Sequence, residues 1–357
     1  FAPSQRVKGF VTGDAKGNVF LHHATSSQTL LRMAVGEFPI RAVAFAPKGD
    51  AVIALDGAGQ LSLYQVQNPY PEVTLDTLFG KIWYEGYDQA AYVWQSSSGS
   101  DDVEPKLGLL PLAFGTLKGT IYALFLAVPI AILAAICTSQ FMHHDLRAKV
   151  KPIIEVMAAL PTVVLGFLAG LWLAPLLERM LPALAGMVLV LPMLVIVASF
   201  SWHLCPLSIK RHFTPGNEAL LLMPLLALGI GGCLWAHSFF EVWWFDGNIK
   251  AWLSNRLGIQ YDQRNALVVG IVMGFAIVPV IYSIAEEALS NVPKSHIAGS
   301  LALGATRWQT VWHLVLLSAS PGIFSAVMIG FGRAIGETMI VLMATGNTPI
   351  LDWNWAN

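Results

Sequence analysis

The sequence predicts an α-helical polytopic membrane protein of about six spans, preceded by an all-β part. Three observations predict it. Apolar residues make up 55% of the chain and charged residues only 12%, about half the roughly 25% of soluble domains. The deficit is uneven, because residues 1–106 read as soluble and nearly all the apolar excess lies beyond Leu107. Within the soluble part, two stretches repeat at a period of 42–44 residues.

The repeat defines the first domain, residues 1–69. FVTGDAKGNVFLHH (Phe10–His23) aligns with VIALDGAGQLSLYQ (Val52–Gln65), matching Asp14 to Asp56, Gly17 to Gly59, Val19 to Leu61 and Leu21 to Leu63. FAP at Phe1–Pro3 recurs at Phe45–Pro47. Each unit reads as a strand, a Gly/Asp turn and an alternating strand. A period near 40–45 residues resembles a β-propeller blade of the WD type, without a clear Trp-Asp pair; a small β-meander is the simpler alternative. Two incomplete blades do not close a ring of roughly four to eight. The chain starts at Phe1 and stops in LDWNWAN (351–357), so both ends read as cut from something longer.

Residues 70–106 lose the repeat, being aromatic-rich and then a Ser/Asp linker. Trp83, Tyr84, Tyr87, Tyr92 and Trp94 would either stack on a ligand or pack where Trp and Tyr favour a membrane interface.

The remainder, 107–350, is the membrane part. A span needs about 20 apolar residues, and the candidates are Leu109–Thr138, Ile153–Leu177, Pro182–Trp202, Ala219–Phe240, Ala266–Ala285 and Ser318–Ala344. Pro129, Pro161, Pro192, Pro224 and Pro279 fall inside these runs, which membrane helices tolerate. Arg147, Lys149 and Lys151, then Lys210 and Arg211, then Lys294 and Arg307 mark three alternate loops as cytoplasmic by the positive-inside bias. The β part then faces outward. Cys137, Cys205 and Cys233 are dispersed and read as small buried apolar residues. A formal net charge of −1 leaves no footprint for nucleic acid.

The stretch Glu286–Asn347 carries the functional signal. Ile297–Gly304 reads as helix, Gly304 as a break and Ala305–Trp312 as a restart. Such a two-helix element can lie flat on a membrane face and dock into a partner's groove. Arg333 and Glu337 follow in an apolar run, four apart and so on one helix face. A charge at a helix centre costs about 2.5–3.5 kcal/mol, which a local partner offsets; a pathway residue and a helix lock are the two readings. His143, His144, Glu155, Glu286 and Glu287 read as solvated or interfacial. No Walker A pattern is present, and nothing resembles a nucleophile with its base.

GTIYALFLAVPIAILAAI, KPIIEVMAALPTVVLGF, ALVVGIVMGFAIVPVIYSIAEEALSNVP, LALGATRWQTVWHLVL and GFGRAIGETM together resemble the permease subunit of the Pst-type phosphate ABC importer. The ending MATGN makes the resemblance closer to the C than to the A subunit. It covers most of 109–347 except an inserted block near 180–262, whose two extra spans return the chain to the same side.

The resemblance implies the ABC importer permease fold in an inner membrane, moving phosphate by alternating access. It implies an ATPase-coupling loop at Ala298, Gly299, Ser300, Gly304, Ala305, Arg307 and Trp308, and a translocation path at Arg333 and Glu337. The family's Glu-Ala-Ala stands here as Ala298-Gly299-Ser300, and the Pro of its downstream Leu-Pro is Leu317. Implied partners are a cytoplasmic ATPase dimer, a second permease subunit, an extracytoplasmic phosphate-binding protein and the lipid bilayer. This chain would bind no cofactor, ATP and Mg residing on the ATPase. The alternatives are a permease for another oxyanion (sulfate, molybdate or phosphonate) and a non-transporting membrane sensor or scaffold bearing a propeller.

Overall fold

A computed structural model describes residues 1–6, 8–68, 70–71, 73–84, 86–96, 105–204, 218–259, 261–347, 349 and 351. Cys205, Lys210, Arg211, most of the Ser/Asp linker and most of the terminal LDWNWAN lie outside the described residues. The chain divides into two compact units, Phe1–Gly115 with Asn347–Leu351, and Thr116–Gly346.

The first unit holds two antiparallel meanders. One orders β1 (Ala2–Pro3), β2 (Gly9–Gly13), β3 (Asn18–His23) and β4 (Gln28–Ala34); the other orders β5 (Ile40–Phe45), β6 (Ala51–Asp56) and β7 (Leu61–Gln65). The repeat is built twice in the same way. Asp14 Oδ1 accepts from the Lys16 and Asn18 amides at 2.9 and 2.7 Å, and Asp56 Oδ1 accepts from the Gln60 amide at 2.8 Å. Gly17 and Gly59 both turn at positive φ, +79° and +85°, where a Cβ is disfavoured. Period-two alternation then sends Val11, Val19, Leu21, Val52 and Ala54 into one buried cluster. The two incomplete blades expected here stand as meanders of four and three strands, and the described residues show no propeller.

After these strands come α1 (Leu75–Phe79), capped by Thr74 and Thr77, and the short pair β8 (Trp94–Gln95) and β9 (Lys106–Leu107). The aromatic cluster is filled from within the chain. Lys106 Nζ lies 5.5 Å from the Tyr84 ring centre and 4.7 Å from that of Tyr87, and Lys81 Nζ lies 5.6 Å from Tyr92. Trp83 Nε1 donates to the Tyr87 carbonyl at 2.6 Å. Lysines thus lie over the rings of Tyr84, Tyr87 and Tyr92, while Trp83 stays 61% exposed.

The rest is helical and polytopic. Among the described residues, five helices are long and apolar enough to cross a membrane, or six if one bent pair counts as a single span. The first continues α2 (Leu110–Ile136) through a π turn to Phe141. The second differs from the apolar run. Ile153 belongs to a separate helix, α3 (His144–Ala158), and Pro161 caps α4 (Thr162–Leu168), which continues through a π turn into α5 (Ala174–Arg179). Proline restricts the residue before it away from helical geometry, so Leu-Pro splits the run.

Next come α6 (Leu181–Leu204), α7 (Glu218–Trp235) and α8 (His237–Trp244), the last two bent by 58° at Ala236. A short α9 (Ile249–Trp252) follows, and Lys250 pairs with Glu178. The core of the membrane part centres on α10 (Ala266–Ser290), whose apolar window is 61% buried, against 17% for Leu181–Trp202. Small residues make that burial possible. Gly330 of α13 (Leu316–Gly336) lies so close to Ile281 that a Cβ there would sit 2.5 Å from its Cγ1. Cys233 is buried as expected, but Cys137 is exposed on the outside of its helix, where a small apolar residue costs nothing in lipid.

Candidate functional site

Residues Lys294–Ala302 form α11, and Gly304 turns the chain at φ +89°. Thr306 then caps α12 (Arg307–Thr310), trading hydrogen bonds with Gln309 in a capping box. The restart does not remain a separate short helix. It passes through a π turn at Val311–Val315 straight into α13, giving one unbroken rod from Arg307 to Gly336.

All seven residues expected in this loop share one neighbourhood. Ala298, Gly299, Gly304, Arg307 and Trp308 are exposed, while Ser300 and Ala305 are half-buried. Ser300 Oγ and Thr310 Oγ1 share a hydrogen bond at 3.0 Å, tying the two arms together. Trp308 stacks on Trp312 at 6.1 Å and meets Phe141 at 6.2 Å. Leu303 stands 91% exposed at the tip, so the element offers an apolar surface.

Arg333 and Glu337 are arranged differently from the expectation of one shared helix face. The α-helix ends at Gly336, and Glu337 is extended at φ −85° and ψ 91° before α14 (Thr338–Thr345) begins. Arg333 is exposed in the last turn of α13, and Glu337 is half-buried at the break. Among the described residues no ion pair joins them. Gly332 and Gly336 flank this turn and weaken the helix there, so the pair does not share one continuous helix.

The half-helix α14 is held by α4. A Cβ on Gly166 would lie 3.0 Å from the Ile340 Cα, and one on Gly170 would lie 2.8 Å from the Met343 carbonyl oxygen. Only glycine allows this approach of two backbones.

Glu286 was expected at the water interface and lies instead within α10, 1% exposed. Arg147 and Lys151 of α3 both pair with it, Lys151 at 3.1 Å. Ser290 Oγ donates to Glu286 Oε1 at 3.0 Å and accepts from Arg147 at 2.6 Å. A buried carboxylate without such partners is strongly disfavoured, so this network is what allows the burial. Its only sequence signal is the four-residue spacing of Arg147 and Lys151, which puts both cations on one helix face. Glu287 and Glu155 are exposed, as expected of solvated groups. His143 is exposed too, its Nδ1 3.5 Å from Asp145; the His144 side chain lies outside what is described.

The model of the binding-protein-dependent transport system inner membrane component family matches residues 127–356. Among curated relatives, the probable ABC transporter permease protein YqgH of Bacillus subtilis is 27% identical over 250 residues, 70% of this chain and 56% of that one. The phosphate transport system permease protein PstC 2 of Mycobacterium tuberculosis is 31% identical over 173 residues, 46% of this chain and 52% of that one. PstC of Haemophilus influenzae is 26% identical over 248 residues, 70% of this chain and 60% of that one. The chain thus spans little more than half the length of these relatives.

Proposed function

The chain belongs to the family of binding-protein-dependent transport system inner membrane components, transport subunits rather than catalysts, and we propose that it is the permease subunit of an ATP-driven importer of inorganic phosphate. The substrate reading rests on the phosphate permeases among its relatives. One observation carries it further: an exposed Arg333 at a helix break inside an apolar segment, beside a half-buried carboxylate. A guanidinium there attracts an oxyanion by bidentate hydrogen bonding, while Glu337 weakens the hold enough for release. Intramembrane charges of this kind mark substrate paths.

In this reading the tip formed by Ala298–Trp308 docks on a cytoplasmic ATPase dimer, which carries ATP and Mg. A second permease subunit completes the pore, and an extracytoplasmic binding protein delivers phosphate. The β part faces outward, following the cationic loops that stay inside.

Uptake of labelled phosphate by the assembled complex, with sulfate, molybdate and phosphonate as competitors, tests the proposal. Uptake blocked by one of those competitors in place of phosphate would reassign the oxyanion. Neutralising Arg333 and Glu337 together should abolish uptake; intact uptake would sink the pathway role. Ala298 in place of the family's Glu favours one rival, a sensor or scaffold that no longer transports. Failure of an ATPase to co-purify would decide for it.

A further inference from the structure

The Glu286 network lies beside the proposed docking tip in sequence and in space. Three residues, Asn291–Pro293, separate the last turn of α10 from α11, and Val292 among them is buried. α10 and α11 therefore cannot move far apart. The same end of α10 is fastened to earlier parts of the chain at three levels. Tyr282 OH donates to Thr138 Oγ1 at 3.1 Å. Glu286 gathers Arg147 and Lys151. Gln140 Nε2 donates to the Leu289 carbonyl at 3.3 Å.

Two of these fastenings hold the end of the first long helix, where neutral hydrogen bonds are modest in strength. The Glu286 fastening is the one that holds α3, and it is charged and buried on the carboxylate side. α3 leads through Leu160–Pro161 into α4, and α4 with the π turn after it grips α14 through Gly166 and Gly170. α14 begins at the Glu337 break. A packed route thus runs from the docking tip to the pair read as the anion path.

We infer that Glu286 is a positioning residue for energy coupling: it clamps α3 to α10, so that displacement of α11 by the ATPase is carried through α4 to the hinge at Glu337. The inference rests on the transport reading above. Arg147 and Lys151 are 31% and 41% exposed, so the clamp is open to solvent on its cationic side only. The carboxylate is the member on which both cations converge.

The test uses the complete complex in liposomes, comparing wild type with Glu286→Gln and with the milder Lys151→Ala. Three quantities are read: ATP hydrolysis, phosphate taken up per ATP, and amide exchange across His144–Ala158. Glu286→Gln should speed exchange in that helix by about tenfold or more, leave hydrolysis within about twofold, and lower uptake per ATP by about tenfold or more. Lys151→Ala should shift both in the same direction by less, and it serves if the glutamine variant fails to fold. Faster exchange with unchanged uptake per ATP overturns the coupling role, and unchanged exchange overturns the clamp. A wild-type complex that hydrolyses ATP without moving phosphate overturns the transport reading, and the coupling role with it, before any substitution is made.

Discussion

Gly166 and Ile340 bring two helix backbones together: a Cβ on the glycine would stand 3.0 Å from the isoleucine Cα. The contact fixes α14, a helix of eight residues that is too short to hold itself. Gly166→Val and Gly170→Val should each cost about 1–3 kcal/mol by overpacking and lower the thermal midpoint in detergent. Gly231→Ala, where a Cβ meets nothing within 4 Å, is the matched control and should be neutral or slightly stabilising. Equal effects at all three sites would mean that the close approach carries no weight.

Arg333 offers a planar donor fork that lysine lacks. Arg333→Gln should reduce phosphate uptake at least about tenfold, and Arg333→Lys should retain part of it with a raised KM, since charge survives but bidentate geometry does not. Uptake measured across phosphate concentration separates the two. A lysine variant indistinguishable from wild type would reduce the role to charge alone.

At the proposed docking tip, Leu303 and Trp308 are exposed apolar side chains on an element otherwise stiffened by the Thr306 capping box. Buried aromatic anchors commonly carry 2 kcal/mol or more of an interface. Trp308→Ala should therefore weaken co-purification of the ATPase by about thirtyfold. Ala298→Glu, which restores the family's acidic position, should strengthen it. Pull-down titration with the purified ATPase reads both.

The β part carries an acid sensitivity at one turn. Asp14 is held below its ordinary carboxylate pKa, first by the hydrogen bond from the Asn18 side chain and then by the Asn18 amide. A depressed folded pKa stabilises above the unfolded value, near 3.8, and that stabilisation is lost as pH falls through the folded value. Exchange protection of the β2–β3 hairpin, corrected for intrinsic rates, should hold from neutral pH down to about 4 and decline below it. In Asp14→Asn that decline should be shallower.

How far the sequence foretold this molecule depends on the range of the signal. The Asp-x-x-Gly turns of the β part are local chemistry, and both were legible from residues three apart. Gly304 was legible for the same reason. Leu160-Pro161 held the break in the second apolar run in plain view, but hydropathy averaged across it. Glu286 was misplaced because its partners lie 139 and 135 residues earlier; nothing beside it in the chain says that the helix continues past it into the interior. The Glu337 break was hidden by a spacing of four that suits a continuous helix. Only the two flanking glycines hinted otherwise.

The unbroken rod from Arg307 to Gly336 is 30 residues long, about 45 Å at 1.5 Å per residue. The hydrocarbon core of a bilayer is about 30 Å thick. Set along the bilayer normal, the rod would leave up to about a third of its length clear of the hydrocarbon, with Trp308 near one end and Arg333 near the other. Within it, the π turn at Val311–Val315 adds one residue to the winding, rotating the outer arm by about 100° against the inner. Deleting the exposed His313 there would keep the buried Val311 and Val315 and the Trp308–Trp312 stack in the sequence, yet point the tip to the wrong side.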